Sequence, residues 1–117
     1  MSYPVNPEIF DDNCLQEPIR LGFGRGLKEA GEINDRIVAL CADLTDSTQM
    51  SYFRDAFPGR FVQVGIAEQN LVTVASGMAR AGKIPFASSY TDYSNGRNSE
   101  QISTTIALNN HPVKIIG

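Results

Sequence analysis

The feature that most constrains this chain is the run Ile37-Val38-Ala39-Leu40-Cys41-Ala42, unbroken apolar sequence that ends at Asp43. A strand with one wet face alternates apolar and polar residues, whereas a continuous run needs burial on both faces, as in a parallel sheet covered by helices. Phe61 to Val64 is a second short strand, Ile84-Pro85-Phe86-Ala87 starts a third, and Val113-Lys114-Ile115-Ile116 makes a fourth. Helical patterns lie between them. The first runs from Ile19 to about Ala30 and is closed by Gly31, although Gly22, Gly24 and Gly26 each weaken it by roughly 1 kcal/mol against Ala. Ser47 to Phe57 reads as a short helix stopped by Pro58-Gly59. Ala67 to Ala81 is the clearest helix, with Leu71, Val74, Ala75 and Met78 on its apolar face and Gly82 at the C-terminal cap. A last helix opens at Ser94 or Asn95, carries Ile102, Ile106 and Leu108 on its apolar face, and ends near Asn109-Asn110. This alternation predicts an α/β fold: a three-layer sandwich with a mostly parallel sheet and helices on both faces.

With 117 residues the chain is one domain at most, and at 42% apolar and 20% charged it can bury a core. Pro4, Pro7 and Pro18, with Asp11-Asp12-Asn13, make residues 1–18 an extended N-terminal segment ahead of a domain over 19–117. A net charge of −3 and singly scattered Lys28, Lys83 and Lys114 argue against nucleic acid as a partner. No apolar run approaches the ~20 residues that span a bilayer, and the N-terminus lacks the basic and apolar regions of a secretory signal, so no membrane is expected and the compartment reads as cytoplasmic. Cys41 lies inside the first strand and reads as a small buried hydrophobe rather than half of a bridge with Cys14. The sequence stops directly after its fourth strand, which would leave an open edge, so the domain reads as truncated or completed by a partner.

Ligands bind such sheets outside the carboxyl ends of the strands. Asp43, Glu68 and the stretch Ser88 to Tyr93 follow the first three strands and fall there. Glu68 draws most interest. It opens a helix, where a carboxylate is favoured by the unpaired N–H groups and needs no further reason. Yet Val62, Val64 and Ile66 precede it and Leu71, Val72, Val74 and Ala75 follow, a setting that desolvates a carboxylate and keeps its proton available. Glu68 is thus a candidate acid or base, with an ordinary helix-start carboxylate as the other reading. Asp46 or Ser47 would cap the next helix, leaving Asp43 free to face a ligand. Tyr90 and Tyr93 either pack as core or offer flat faces to a planar ring. Gly22-Phe23-Gly24-Arg25-Gly26 is not preceded by a strand and reads as helix packing rather than a phosphate cradle. His111 reads as a turn residue, and no metal-ligand spacing is present.

Taken in order, these pieces form a specific set. Ala42-Asp43-Leu44 with Ser47-Thr48, Phe57-Pro58-x-Arg60-Phe61, and Gly65-Ile66-Ala67-Glu68-Gln69-Asn70 come first. Ala75-Ser76-Gly77-Met78-Ala79, Gly82-Lys83-Ile84-Pro85-Phe86, Gly96-Arg97 with Glu100-Gln101-Ile102, and Pro112-Val113-Lys114 follow. The set resembles the pyrimidine-binding domain of the transketolase family over roughly residues 19–117, in particular the C-terminal subunit of split transketolases. The resemblance implies a thiamine diphosphate enzyme that transfers a two-carbon ketol unit between sugar phosphates. It implies that Glu68 hydrogen-bonds N1′ of the cofactor's aminopyrimidine and so promotes loss of the thiazolium C2 proton. It also implies that Tyr93 stacks on the pyrimidine, that Tyr90 lines the same pocket, that Asp43 lies near the thiazolium side, and that Gly65 and Ile66 shape the turn. Gly96 stands where the family has a third pocket aromatic.

The family's Gly-Asp-Gly motif with a downstream Asn, which holds the diphosphate through Mg2+ or a similar divalent ion, does not occur here. The resemblance therefore implies a partner, the N-terminal diphosphate-binding transketolase subunit, within a homodimer or heterotetramer. Other readings are a related thiamine enzyme of the deoxyxylulose-phosphate synthase or 2-oxo acid dehydrogenase β type, and a non-catalytic assembly or regulatory module of the same fold.

Overall fold

The computed structural model describes residues 6–117. Residues 1–5, including Pro4, lie outside the described part of the expected N-terminal segment, and residues 6–18 form exposed turns that lead into the first helix.

Helix α1 spans Ile19–Ile33, β1 Ile37–Cys41, α2 Ser51–Ala56, β2 Phe61–Gln63, α3 Glu68–Arg80, β3 Ile84–Ser88 and β4 Lys114–Ile116. Between β3 and β4 the chain winds through two wide π-helical segments, Asp92–Gly96 and Ile102–Ala107, around the short α-helical turn α4, Ser99–Gln101. The four strands form one parallel sheet in the order β2-β1-β3-β4. This is the expected α/β architecture. Among the described residues no helix is long and apolar enough to cross a membrane.

Strand β1 shows why the apolar run is unbroken. All its residues are buried. Ile37, Ala39 and Cys41 point into one core with Leu27 of α1 and Met50 and Phe53 near α2. Val38 and Leu40 point into the other core, with Leu71 and Ala75 of α3 and Ala87 of β3. The chain runs from β1 to β2 in one direction along the sheet and from β2 past β1 to β3 in the other. Right-handed crossovers then place α2 and α3 on opposite faces. The reversal also opens a crevice at the carboxyl ends of β1 and β3, the usual ligand position in an open α/β sheet.

Several elements differ from the sequence expectation. Helix α1 continues through Gly31, which is a packing residue: a Cβ there would come within 2.6 Å of Phe53 and 2.7 Å of Phe57. Gly24, about two turns earlier on the same face, meets the backbone of Gln49. These two glycines let α1 lie close against the chain around α2. The end of α1 is instead completed by Arg60, whose guanidinium donates to the carbonyl oxygens of Gly31 (2.9 Å) and Asn34 (3.1 Å) while lying 3.9 Å above the Phe57 ring. Helix α2 starts at Ser51, not Ser47, and Met50 sits at its cap position without a side-chain hydrogen bond, so neither Asp46 nor Ser47 caps it. Thr48 turns its hydroxyl back to the carbonyl of Leu44 (2.9 Å), which keeps this stretch in turns. Leu108 is 81% exposed: two positions after the buried Ile106, it lies about 200° further round the helix and faces away from the core.

Candidate functional site

Three chain segments converge at the carboxyl ends of the sheet. The first leaves β1 at Asp43, whose φ of +59° lies in the left-handed region, which Asp enters more readily than most non-glycine residues. The second leaves β2 through Gly65, with φ +72°, a value that suits Gly alone without steric cost. That turn aims Glu68 inward as the first residue of α3. The third leaves β3 and enters the π-helical turn Asp92–Gly96, closed by the Arg97 N–H donating to the Asp92 carbonyl. π-turns of this kind are enriched at functional sites. Here the wide turn brings Tyr93 and Arg97, four positions apart, to one side.

Glu68 is only 5% exposed. A buried carboxylate needs a partner, and among the described residues its ion-pair partner is Arg97, with Nη1 3.6 Å from Oε2. The same guanidinium lies 5.4 Å from the Tyr93 ring centre. A cavity of about 200 Å³ is lined by Ala42, Asp43, Leu44, Ile66, Glu68 and Tyr93. A second, of about 320 Å³, lies on the other side of Glu68, between Ile66 to Asn70 and Arg97. Ile66 is 78% exposed and borders both. An exposed isoleucine flanking a buried acid presents an apolar surface to whatever enters.

Asp43, Ile66, Glu68 and Tyr93 therefore share one cavity, and Gly65 supplies the turn beneath it. Tyr90 contacts Tyr93, with ring centres 6.3 Å apart, and faces a neighbouring cavity of about 330 Å³ bordered by Phe23, Ser89 and Ile116. Asp43 also faces a polar groove that holds Asp46, Arg54 and Gln63. Arg54 is engaged there by Asp55 (2.8 Å) and Asp46 (3.6 Å), and the Asp55 hydrogen bond, followed by those two negative charges, holds its guanidinium above its ordinary proton affinity. His111 stands elsewhere. Its Nδ1 is 2.8 Å from Ser76 Oγ, and since that hydroxyl donates to the Thr105 carbonyl (2.6 Å), His111 Nδ1 carries the hydrogen in this contact. Its role is to join the β4 approach to α3.

Two residues of the site carry no role in the sequence reading: Arg97 and Gln63. Arg97 follows Tyr93 by four positions, a spacing that shares a helical face, but its pairing with Glu68 is a tertiary contact. Gln63 ends an edge strand and reads there as ordinary solvent-facing sequence.

The cavity joins a buried carboxylate, the Tyr93 ring and the apolar walls of Ala42, Leu44 and Ile66, a lining suited to a flat ring with a polar edge. Comparison with known proteins gives the family. Residues 17–117 match the family model for the transketolase pyrimidine-binding domain. The chain is 43% identical, over 84% of its length, to a Methanocaldococcus jannaschii protein described as a transketolase C-terminal section, covering 31% of that protein. It is 41% identical, over 78% of its length, to the 6-deoxy-6-sulfo-D-fructose transketolase subunit SqwH of a Clostridium species, covering 28% of it. A solved structure of a split-gene transketolase, an inactive β4 tetramer, superposes with a TM-score of 0.74 at 48% identity, over 82% of this chain and 32% of that one. The fold and the family match define an α/β domain of the transketolase pyrimidine-binding type. The chain belongs to the transketolase family, and it spans about three tenths of the length of these relatives.

Proposed function

We propose that this chain provides the pyrimidine-side half of a thiamine diphosphate site in a transketolase-type enzyme, one that moves a two-carbon ketol unit between sugar phosphates. The observation that carries the reading is Glu68, a buried carboxylate at the start of α3 facing a cavity it shares with Asp43, Ile66 and Tyr93. When bound, thiamine diphosphate supplies the electron sink that lets a bond beside a carbonyl be broken and remade. The protein's part is position and proton handling. Glu68 would meet the aminopyrimidine N1′ and share a proton with it, at a position where burial leaves little water to compete. Tyr93, Ile66 and Asp43 line the same cavity; Tyr93 would offer a ring face for stacking, Ile66 apolar surface, and Asp43 a negative charge for the cationic part of the cofactor. Gly65 sets the turn that holds Glu68 in register with them.

The diphosphate and its Mg2+ or similar ion belong, in this proposal, to an N-terminal partner subunit, in a homodimeric or heterotetrameric assembly of cytoplasmic type. Support comes from the relatives: one is described as a C-terminal section, one as a subunit, and one as an inactive β4 tetramer. The domain boundary near residue 19 belongs to the same proposal. A second reading, a deoxyxylulose-phosphate synthase type of reaction, draws on 40% identity over 91 residues to the 1-deoxy-D-xylulose-5-phosphate synthase of Halothermothrix orenii, of which the chain covers 14%. Reconstitution with a diphosphate-binding subunit, thiamine diphosphate and Mg2+ separates the two. Turnover with ketose phosphate donors is the expected result. Turnover with pyruvate as donor supports the second reading, and a stable complex that turns over neither contradicts both.

A further inference from the structure

The side-chain amide of Gln63 joins the two strand exits that carry the candidate site. Its Oε1 accepts the backbone N–H of Asp43 at 2.7 Å and that of Gly65 at 3.2 Å, while its Nε2 donates to the Thr45 hydroxyl at 3.0 Å. Two N–H donors converging on one atom fix that atom as the oxygen, so the orientation of the amide follows from chemistry. The two donors are the residues at which the chain turns through left-handed backbone, Asp43 at φ +59° and Gly65 at φ +72°. Strand pairing already brings Gln63 opposite Cys41, and the Val64 N–H donates to the Cys41 carbonyl at 3.0 Å. Beyond that point the sheet ladder stops, and Gln63 continues the connection between β1 and β2 through its side chain.

We infer that Gln63 is a positioning residue for the cofactor pocket: it sets the separation of the Asp43 loop from the Gly65-Ile66-Ala67-Glu68 turn. The inference rests on the assignment of that pocket to thiamine diphosphate. Gln63 borders the groove beside Asp43 rather than the cavity of Glu68 and Tyr93, so it acts through the loops it ties. A left-handed non-glycine residue such as Asp43 keeps its conformation only when its surroundings hold it, and the 2.7 Å bond supplies that hold. Glutamine is suited to the task because one planar group presents an acceptor to two amides and a donor to a hydroxyl. Glutamate retains the acceptor and loses the donor. Leucine keeps apolar bulk near the strand but is one atom shorter and loses both.

The test uses the full complex with the diphosphate-binding subunit, comparing wild type with Gln63→Leu and Gln63→Glu. Three quantities are read: amide hydrogen exchange in peptides covering 42–47 and 63–68, thiamine diphosphate affinity by titration calorimetry with Mg2+, and melting temperature. In Gln63→Leu, exchange at both exits rises and affinity falls about tenfold or more, the size expected when a binding constellation loosens by a fraction of an ångström. Gln63→Glu restores protection at Asp43 and Gly65 and recovers most of the affinity. Unchanged affinity in Gln63→Leu overturns the inference, and so does a Gln63→Glu complex with restored protection but affinity as weak as the leucine variant. A fall in melting temperature that accompanies equal affinity losses in both variants assigns Gln63 a purely structural role and also overturns it. The exchange measurement stands independently of the cofactor assignment. Should protection respond as stated while Glu68→Gln leaves the cofactor's C2 proton exchange at the wild-type rate, the pocket assignment fails and the loop tie does not.

Discussion

Arg97 Nη1 stands 3.6 Å from Glu68 Oε2, joining a guanidinium that is 56% exposed to a carboxylate that is buried. The asymmetry matters. Solvent screens the arginine, so the pair is weaker than a buried ion pair, but the acid has little water to replace a lost partner.

Replacing Arg97 by Met strands that carboxylate. The expected cost is about 1 kcal/mol, at the low end for an unsatisfied buried acceptor because the arginine is screened. Urea denaturation of wild type, Arg97→Met and Arg97→Lys measures it, with the lysine variant expected near wild type.

An exposed and a buried glycine of α1, Gly26 and Gly31, predict opposite responses to the same substitution. Alanine is favoured over glycine in a helix interior by about 1 kcal/mol, and Gly26, with open space around its Cβ position, should gain stability by up to that amount as Gly26→Ala. Gly31→Ala meets Phe53 and Phe57 instead and should lose about 1–3 kcal/mol through overpacking. Thermal melts of the two single variants should move in opposite directions.

Arg60 holds the end of α1 with two hydrogen bonds and rests on Phe57. Lysine lacks the planar fork that makes both bonds at once. Arg60→Lys should therefore destabilise by about 1–2 kcal/mol, and amide exchange should rise in the last turn of α1 before it rises in β1.

Gly65→Ala tests the turn beneath Glu68. No atom obstructs a Cβ there, so the cost comes from backbone strain alone, about 1–2 kcal/mol at positive φ. Loss of cofactor affinity in the reconstituted complex should exceed the loss in stability, because relaxing the strain moves Glu68.

The layered fold was legible because β1 cannot be wetted on either face: Ile37 to Cys41 dictates a buried central strand, and helices must cover both sides. Glu68 was legible for a related reason, a carboxylate set among apolar neighbours at a helix start. What the pattern could not convey came from contacts distant in sequence. Gly31 resembles a helix terminator until Phe53 and Phe57 are packed on it. Leu108 is a matter of local spacing instead: expected on the face of Ile102 and Ile106, it falls on the opposite side of a helix from them, where it is exposed. Arg97 and Gln63 sit where polar residues are ordinary, and only the convergence of three strand exits gives them work at the site.

The central claim is that Glu68 handles a proton for a bound aminopyrimidine. It is tested most directly by C2 hydrogen–deuterium exchange of thiamine diphosphate in the complex reconstituted with Glu68→Gln. Loss of a positioned acid–base group should slow exchange by at least about 100-fold while the cofactor remains bound. Exchange at the wild-type rate with the cofactor bound would contradict the account.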